Sequence, residues 1–183
     1  MAKVIIFSRK FPAYHPKVGK QTFFVEQFLK QRGVNYSCDN YIQKLCGLNT
    51  VNMAKGKLSF EDIESFALSL QKKDDEKSHT IRGGNRFKTG EIFSPRCWFG
   101  KPYNTPKIIF WDDTEVKKTW KFEADKEGVF SLNGKYVDAT SSLWNGTTIA
   151  ENDGLSSDDF LDWFPVGKEL DGQIICWNED IKY

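Results

Sequence analysis

Short apolar runs stand at both ends of this chain, KVIIF at residues 3–7 and GQIICWN at residues 172–178, each the length of one buried strand. Between them the second half keeps producing strand-length pieces: SHTIRG, IFSPRCWF, PKIIFW, EVKKTWKFEA and VFSLNGKYVDA. The strongest local signal is Asn133-Gly134, because Asn-Gly tolerates positive φ at both central positions of a tight hairpin. Helical spacing is confined to a few segments. FFVEQFLKQ puts Phe24, Val25, Phe28 and Leu29 on one face, with Thr22 as the expected cap and Gly33 as the stop. DNYIQKLC reads as a short helix, and SFEDIESFALSLQKK as a longer one opened by Ser59 and Asp62 at capping-box spacing. TTIAENDGLSSDDFLDWF reads as two helices broken at Gly154, with Ser156 or Ser157 capping the second. Many short strands, a few helices and a strand at each end predict an α+β fold, a small mixed barrel with flanking helices. One domain is expected over residues 1–183, with a helical insertion at about 34–76.

The formal net charge of +1 conceals a segregation. Residues 1–32 hold seven Lys/Arg against one acid, residues 77–107 seven against one, and residues 108–183 seven against sixteen. Two basic blocks brought together by the fold would make one positive surface suited to phosphate or a polyanion. The four cysteines, Cys38, Cys46, Cys97 and Cys176, form no C-x-x-C pair and have two histidines to join them. That pattern predicts reduced thiols, no zinc or other metal site, and no cofactor. No apolar run approaches transmembrane length, and MAKVIIFSRKF lacks the apolar core of a signal peptide, so a cytoplasmic protein without a membrane partner is expected.

The segment EKSHTIRGGNRFKTGEIFSPRCW, residues 76–98, gathers lysine, histidine, threonine and three arginines around a double glycine, with two acids. Arg82, Arg86, Lys88 and Arg96 are candidates for the wall or rim of an anion-facing cleft, met there by Arg9, Lys10, Lys17 and Lys20 of the first basic block. Phe11, Tyr14, Trp98 and Tyr103 are interleaved with these cations, as base stacking requires.

KSHTIR followed by FKTGEIF resembles the hallmark of ASCH domains, relatives of the PUA domain: Lys-x-x-Thr-x-Arg, then a Gly-acid pair entering a strand. DGLSSDDFLDWF resembles the later Gly-Leu-Ser element of that family, and GQIICW its closing strand. The resemblance covers roughly residues 77–183 and the first strand. It implies a PUA-like barrel with a cleft for RNA or a modified nucleoside or nucleotide. One branch of the family hydrolyses the acetyl amide of N4-acetylcytidine with a lysine, a threonine and a glutamate. Lys77 and Thr80 match the first two, and Glu151 and Asp153 compete for the third.

The chemistry of such a set is coherent. A threonine hydroxyl attacks only after a base takes its proton, a lysine serves when its pKa is lowered, and a carboxylate can protonate the leaving amine. Residues 77 and 80 of a regular strand face opposite sides, so Lys77 has to precede the strand or be redirected by a bulge. The sequence therefore predicts an RNA- or nucleoside-binding module with a positive cleft. An N4-acetylcytidine-type amidohydrolase and a protein-interaction domain using the insertion are the alternatives.

Overall fold

In the computed structural model, which describes residues 2–34, 39–141 and 148–183, the terminal runs become β1 (Lys3–Ile6) and β9 (Leu170–Cys176), and they lie in different sheets. In the first sheet β1 runs parallel to β3 (Ile92–Trp98), which also pairs antiparallel with β4 (Lys107–Ile109) and β5 (Thr114–Glu115). The second sheet has the order β2 (His79–Gly83), β9, β6 (Lys118–Ala124), β7 (Phe130–Leu132), β8 (Lys135–Val137), antiparallel throughout. Asn133 (φ 50°) and Gly134 (φ 77°) make the tight turn between β7 and β8, as the Asn-Gly signal predicts.

A parallel pair needs a long crossover, and the one from β1 to β3 holds most of the helices. These are α1 (Phe24–Gln31), α2 (Asp39–Leu48), α3 (Thr50–Ala54) and α4 (Phe60–Leu68). The last three fall within the expected insertion. Their Tyr41, Leu45, Ile63 and Phe66 join the same core as Phe7 and Phe28, so this segment is packed against the sheets. Ser59 and Asp62 form the reciprocal capping box that opens α4. At α1 the expected cap is corrected. Phe23 occupies the cap position in the left-handed region (φ 60°), and the Thr22 hydroxyl donates instead to the Ser8 carbonyl at 2.5 Å. Thr22 thereby fixes the loop after β1 rather than the helix.

Between the sheets an aromatic cluster forms the centre. Phe7, Phe28, Phe93, Phe110 and Trp177 interlock with ring centroids 5.1 to 5.7 Å apart. The sheets are also joined through the backbone: Val116 N–H donates to the Glu91 carbonyl and Lys117 N–H to the Cys176 carbonyl. The chain is thus a mixed α+β fold, as predicted. The described strands form two hydrogen-bonded sheets and not one closed barrel. Near the C-terminal end α5 (Ile149–Asn152) and α6 (Ser157–Trp163) are separated at Gly154 (φ 78°), with Ser156 capping α6. No helix among the described residues is long and apolar enough to cross a membrane.

Candidate functional site

Lys77 and Ser78 enter β2 from a backbone fixed on three sides. Lys77 N–H donates to the Gln27 carbonyl of α1, Ser78 N–H donates to the Asn152 carbonyl of α5, and the Ser78 carbonyl accepts from Trp177 N–H beyond β9. Trp177 Nε1–H also donates to the Lys77 carbonyl at 3.1 Å. Because β2 starts only at His79, Lys77 escapes the strand's alternation. Its side chain, 1% exposed, turns toward α5 and places Nζ 2.7 Å from Asp153 Oδ1, and it donates to the Asp153 carbonyl as well. The ammonium also lies over the Phe24 ring, 4.1 Å from its centroid.

This is a buried ion pair. Burial pushes the Lys77 ammonium down to about 8, against the opposing pull of Asp153. Burial likewise raises the Asp153 carboxyl, while Lys77 and Arg82 hold it lower. His79 Nδ1 stands 3.6 Å from Asp153 Oδ1, and neither ring nitrogen makes a hydrogen bond of good geometry among the described residues, although the Ile149 backbone lies close enough to favour the charged form slightly. Burial and the neighbouring Lys77 charge push this imidazole well below its ordinary range, so it is neutral at pH 7. Thr80 is buried opposite Ile175 and makes no side-chain hydrogen bond among the described residues. Arg82 Nη2 donates to the Ile6 carbonyl at 2.6 Å, bridging the edge strand β2 to β1 of the other sheet.

The two carboxylate candidates separate. Glu151 is exposed and its Oε2 accepts from Thr148 N–H in the capping box of α5. Asp153 is the one that meets Lys77.

Beside this pair lies a cleft of about 580 Å³. Ser78 comes from the Lys-x-x-Thr-x-Arg stretch, Gly154, Leu155 and Ser156 from the Gly-Leu-Ser element and Asn152 from the end of α5 just before it, so the two motif regions share one cavity. Gln27 of α1 and Asn178 and Ile181 of the C-terminal segment complete much of the wall, and the remaining residues are the acids Asp75, Glu76, Glu151 and Asp180. Gly154 matters sterically. A Cβ there would fall inside the 3.0 Å that real Cβ contacts respect, against Gln27 Oε1. The bare backbone lets the Gln27 amide lie flat, with Nε2 donating to the Gly154 carbonyl at 3.1 Å.

The other predicted cations are dispersed, and none of them lines this cleft. Lys17 pairs with Asp159 at 2.7 Å, and Arg9 donates to Ser69 Oγ over the Phe66 ring. Arg86 and Lys88 are exposed, and their backbone N–H groups donate to Gln173 and Glu91. Arg96 reaches Ser94 Oγ within β3, Lys10 bridges to Gln21, and Lys20 is exposed on the same loop. Of the aromatic candidates, Phe11 is buried against His15 and Trp163, and half-exposed Tyr14 reaches the Trp163 carbonyl. Trp98 and Tyr103 pack together at 5.2 Å with Lys107 over the Trp98 ring, and Tyr103 is 88% exposed with φ 66°.

One histidine-carboxylate group, His15 with Asp159 and Asp162, has ligand atoms close enough for an ion. Its histidine is already satisfied: Nδ1 accepts from Lys17 N–H, leaving Nε2–H for the Asp159 carbonyl. Lys17 occupies Asp159 itself.

Sequence reasoning missed Gln27, Ser78, Asn152 and Asn178. The available signal was the helical spacing of α1, which puts Gln27 beside Phe24 and Phe28 on the buried face. No family model matches this chain, and neither the curated proteins nor the solved structures contain a match to it.

Proposed function

We propose that the chain is a nucleoside-binding module of the ASCH type, and that its two sheets are the halves of a PUA-like barrel. The observation that carries the reading is the convergence of Ser78, from the Lys-x-x-Thr-x-Arg stretch, and of Gly154, Leu155 and Ser156, from the Gly-Leu-Ser element, on one cavity. The wall is polar: it holds the side-chain amides of Gln27, Asn152 and Asn178 and the hydroxyls of Ser78 and Ser156. A nucleobase edge would share or replace bonds these groups make to one another and to the backbone, such as Asn178 Nδ2–H to Ser78 Oγ at 3.3 Å. A cavity without lysine or arginine in its wall suits a nucleoside better than an RNA strand. The barrel reading is supported by the backbone junction at residues 116–117 and by the Arg82 bridge from β2 to β1.

The test is chemical-shift mapping with cytidine and N4-acetylcytidine. Saturable shifts at the amides of Ser78, Asn152, Gly154, Ser156 and Asn178 are expected. Shifts confined to other surfaces, or none at millimolar nucleoside, would refute the assignment.

A second reading, amidohydrolysis, is favoured by the buried Lys77–Asp153 pair, since a lysine lowered to about 8 can act as a base near neutral pH. Lys77 in its neutral form would take the Thr80 proton as Thr80 Oγ1 attacks the acetyl carbonyl, and the same proton, passed on through Asp153, would go to the cytidine amine as the C–N bond breaks and acetyl-threonine is left. Water would then release acetate. Mass analysis of N4-acetylcytidine incubated with the protein decides it: turnover lost in both Thr80→Ala and Lys77→Ala supports catalysis, and an intact substrate rejects it.

A further inference from the structure

Residues 40–60 hold three lysines and no acid, and residues 92–111 hold two lysines, one arginine and no acid. The fold fastens these two stretches together. Asn49 Nδ2 donates to the Ile109 carbonyl while its Oδ1 accepts from Ile109 N–H, and Asn52 Nδ2 donates to the Lys107 carbonyl at 3.1 Å. Lys57 N–H donates in turn to the Asn52 carbonyl, which sets the loop after α3 beside the start of β4. Lys44 is paired with Asp112. Lys55, Lys57, Arg96, Lys101 and Lys107 are in no ion pair among the described residues, and none of them lines the acidic cleft.

Exposed cations alone specify no ligand, but an aromatic platform stands among them. The Trp98 and Tyr103 rings lie 5.2 Å apart, and Lys107 Nζ sits 4.7 Å from the centre of the Trp98 ring. Arg96, two residues before Trp98 in β3, shares its face of the strand. Tyr103 is 88% exposed and held at φ 66°, a left-handed conformation that a residue with a Cβ seldom adopts. Its loop is braced from within. Thr105 Oγ1 donates to the Lys101 carbonyl and accepts from Gly100 N–H, and Phe99 N–H donates to the Pro106 carbonyl. A strained, braced loop thus presents a large ring to solvent, where it adds little to the core and leaves one face open to stacking.

We propose that this face, separate from the nucleoside cleft and independent of its assignment, binds single-stranded nucleic acid. A base stacks on Tyr103, and the phosphates on either side of it meet Lys101 and Lys107, with Lys55 and Lys57 extending the track. Every base has a π-face and every nucleotide a phosphate, so the surface tolerates any sequence. An acidic peptide would satisfy the same charges, but it has no flat ring to lay on the platform.

Fluorescence anisotropy with end-labelled octauridylate and octaglutamate tests this on the full chain. Octauridylate should bind with a Kd of about 10 μM or below in about 0.05 M salt. The logarithm of the affinity should fall with that of salt at a slope of about −2 to −3.5, at about 0.7 for each of three to five phosphates. Tyr103→Ala should raise the Kd at least about fivefold and leave the slope unchanged, because a stacked base is lost and no charge is. Lys101→Gln/Lys107→Gln should raise the Kd at least about tenfold and flatten the slope. Chemical-shift mapping on the unaltered protein, which depends on no variant folding, should move the amides of Lys55, Lys57, Trp98, Tyr103 and Lys107. Absence of binding at low salt, shifts confined to the cleft amides, or a Kd indifferent to Tyr103→Ala would overturn the proposal. Octaglutamate binding as tightly as octauridylate would overturn it too, and would assign the face to an acidic protein partner.

Discussion

Replacing Asp153 with Asn should destabilise the fold by about 3–5 kcal/mol near pH 6, because it strands a lysine that is 1% exposed. In the unaltered protein Lys77 lies at about 8 against an ordinary 10.5, a gap worth about 3 kcal/mol. The sign follows from proton counting. A folded-state pKa below the unfolded one means the native state binds fewer protons, so the lysine contributes stability that grows as pH rises from about 8 toward 10.5. Removing the Asp153 carboxylate, which holds the ammonium charged, lowers the Lys77 pKa further. At pH 6 the variant carries the full deficit, whereas at pH 9 Lys77 is mostly neutral in both proteins and the deficit should contract by about 2 kcal/mol or more. Lys77→Met should behave oppositely. It strands Asp153, whose carboxyl is already raised by burial, so that variant recovers stability as pH falls through the carboxyl's folded-state pKa. The double variant Lys77→Met/Asp153→Leu should lose clearly less than the sum of the singles. Urea unfolding at pH 6 and pH 9 measures all of this. Single deficits below about 1 kcal/mol, or deficits identical at the two pH values, would refute the buried-pair argument.

Three further outcomes follow from the packing. Gly154→Ala should cost about 1–3 kcal/mol, since alanine is strained at φ 78° and its Cβ collides with Gln27 Oε1; thermal unfolding with Gln27→Ala added should recover part of the loss, and no recovery would remove the steric explanation. Arg82→Gln should cost about 1.5–3 kcal/mol and speed hydrogen exchange in β1, because the only described bridge from β2 to Ile6 is the guanidinium; unchanged exchange would mean the bridge is idle. Lys17→Gln, at an ion pair whose lysine side chain is 48% exposed, should shift stability by less than about 1 kcal/mol in the same assay, in contrast to Lys77.

The parts of the fold written in the sequence are those decided locally. Asn133-Gly134 makes its hairpin because two neighbouring residues supply the required φ values, and Ser59 with Asp62 caps α4 because the partners are three residues apart. Thr22 shows where local reading stops. It has the chemistry of a cap, yet Ser8, fourteen residues back, accepts its hydroxyl proton once the loop after β1 folds over. The division of the strands between two sheets depends on which edges meet, and no residue spacing encodes that.

The site divides along the same line. The alternation of side chains requires Lys77 either to precede the strand or to be redirected by a bulge, and the structure takes the first course by starting β2 at His79. Which carboxylate meets Lys77 was undecidable from spacing, because Glu151 and Asp153 are two residues apart on one short element. A competing local bond resolves it: Glu151 is taken up by the Thr148 cap, which leaves Asp153 at the helix end facing Lys77. Charge patterning misled most. Seven cations against one acid in each basic block suggested a positive cleft, but a linear count ignores partners brought in from far along the chain. Asp159 neutralises Lys17 from 142 residues away, and Asp75, Glu76 and Asp180 reach the cavity from outside both blocks. The sign of the field at the motif is therefore set by the flanks of the basic segments and not by the segments themselves.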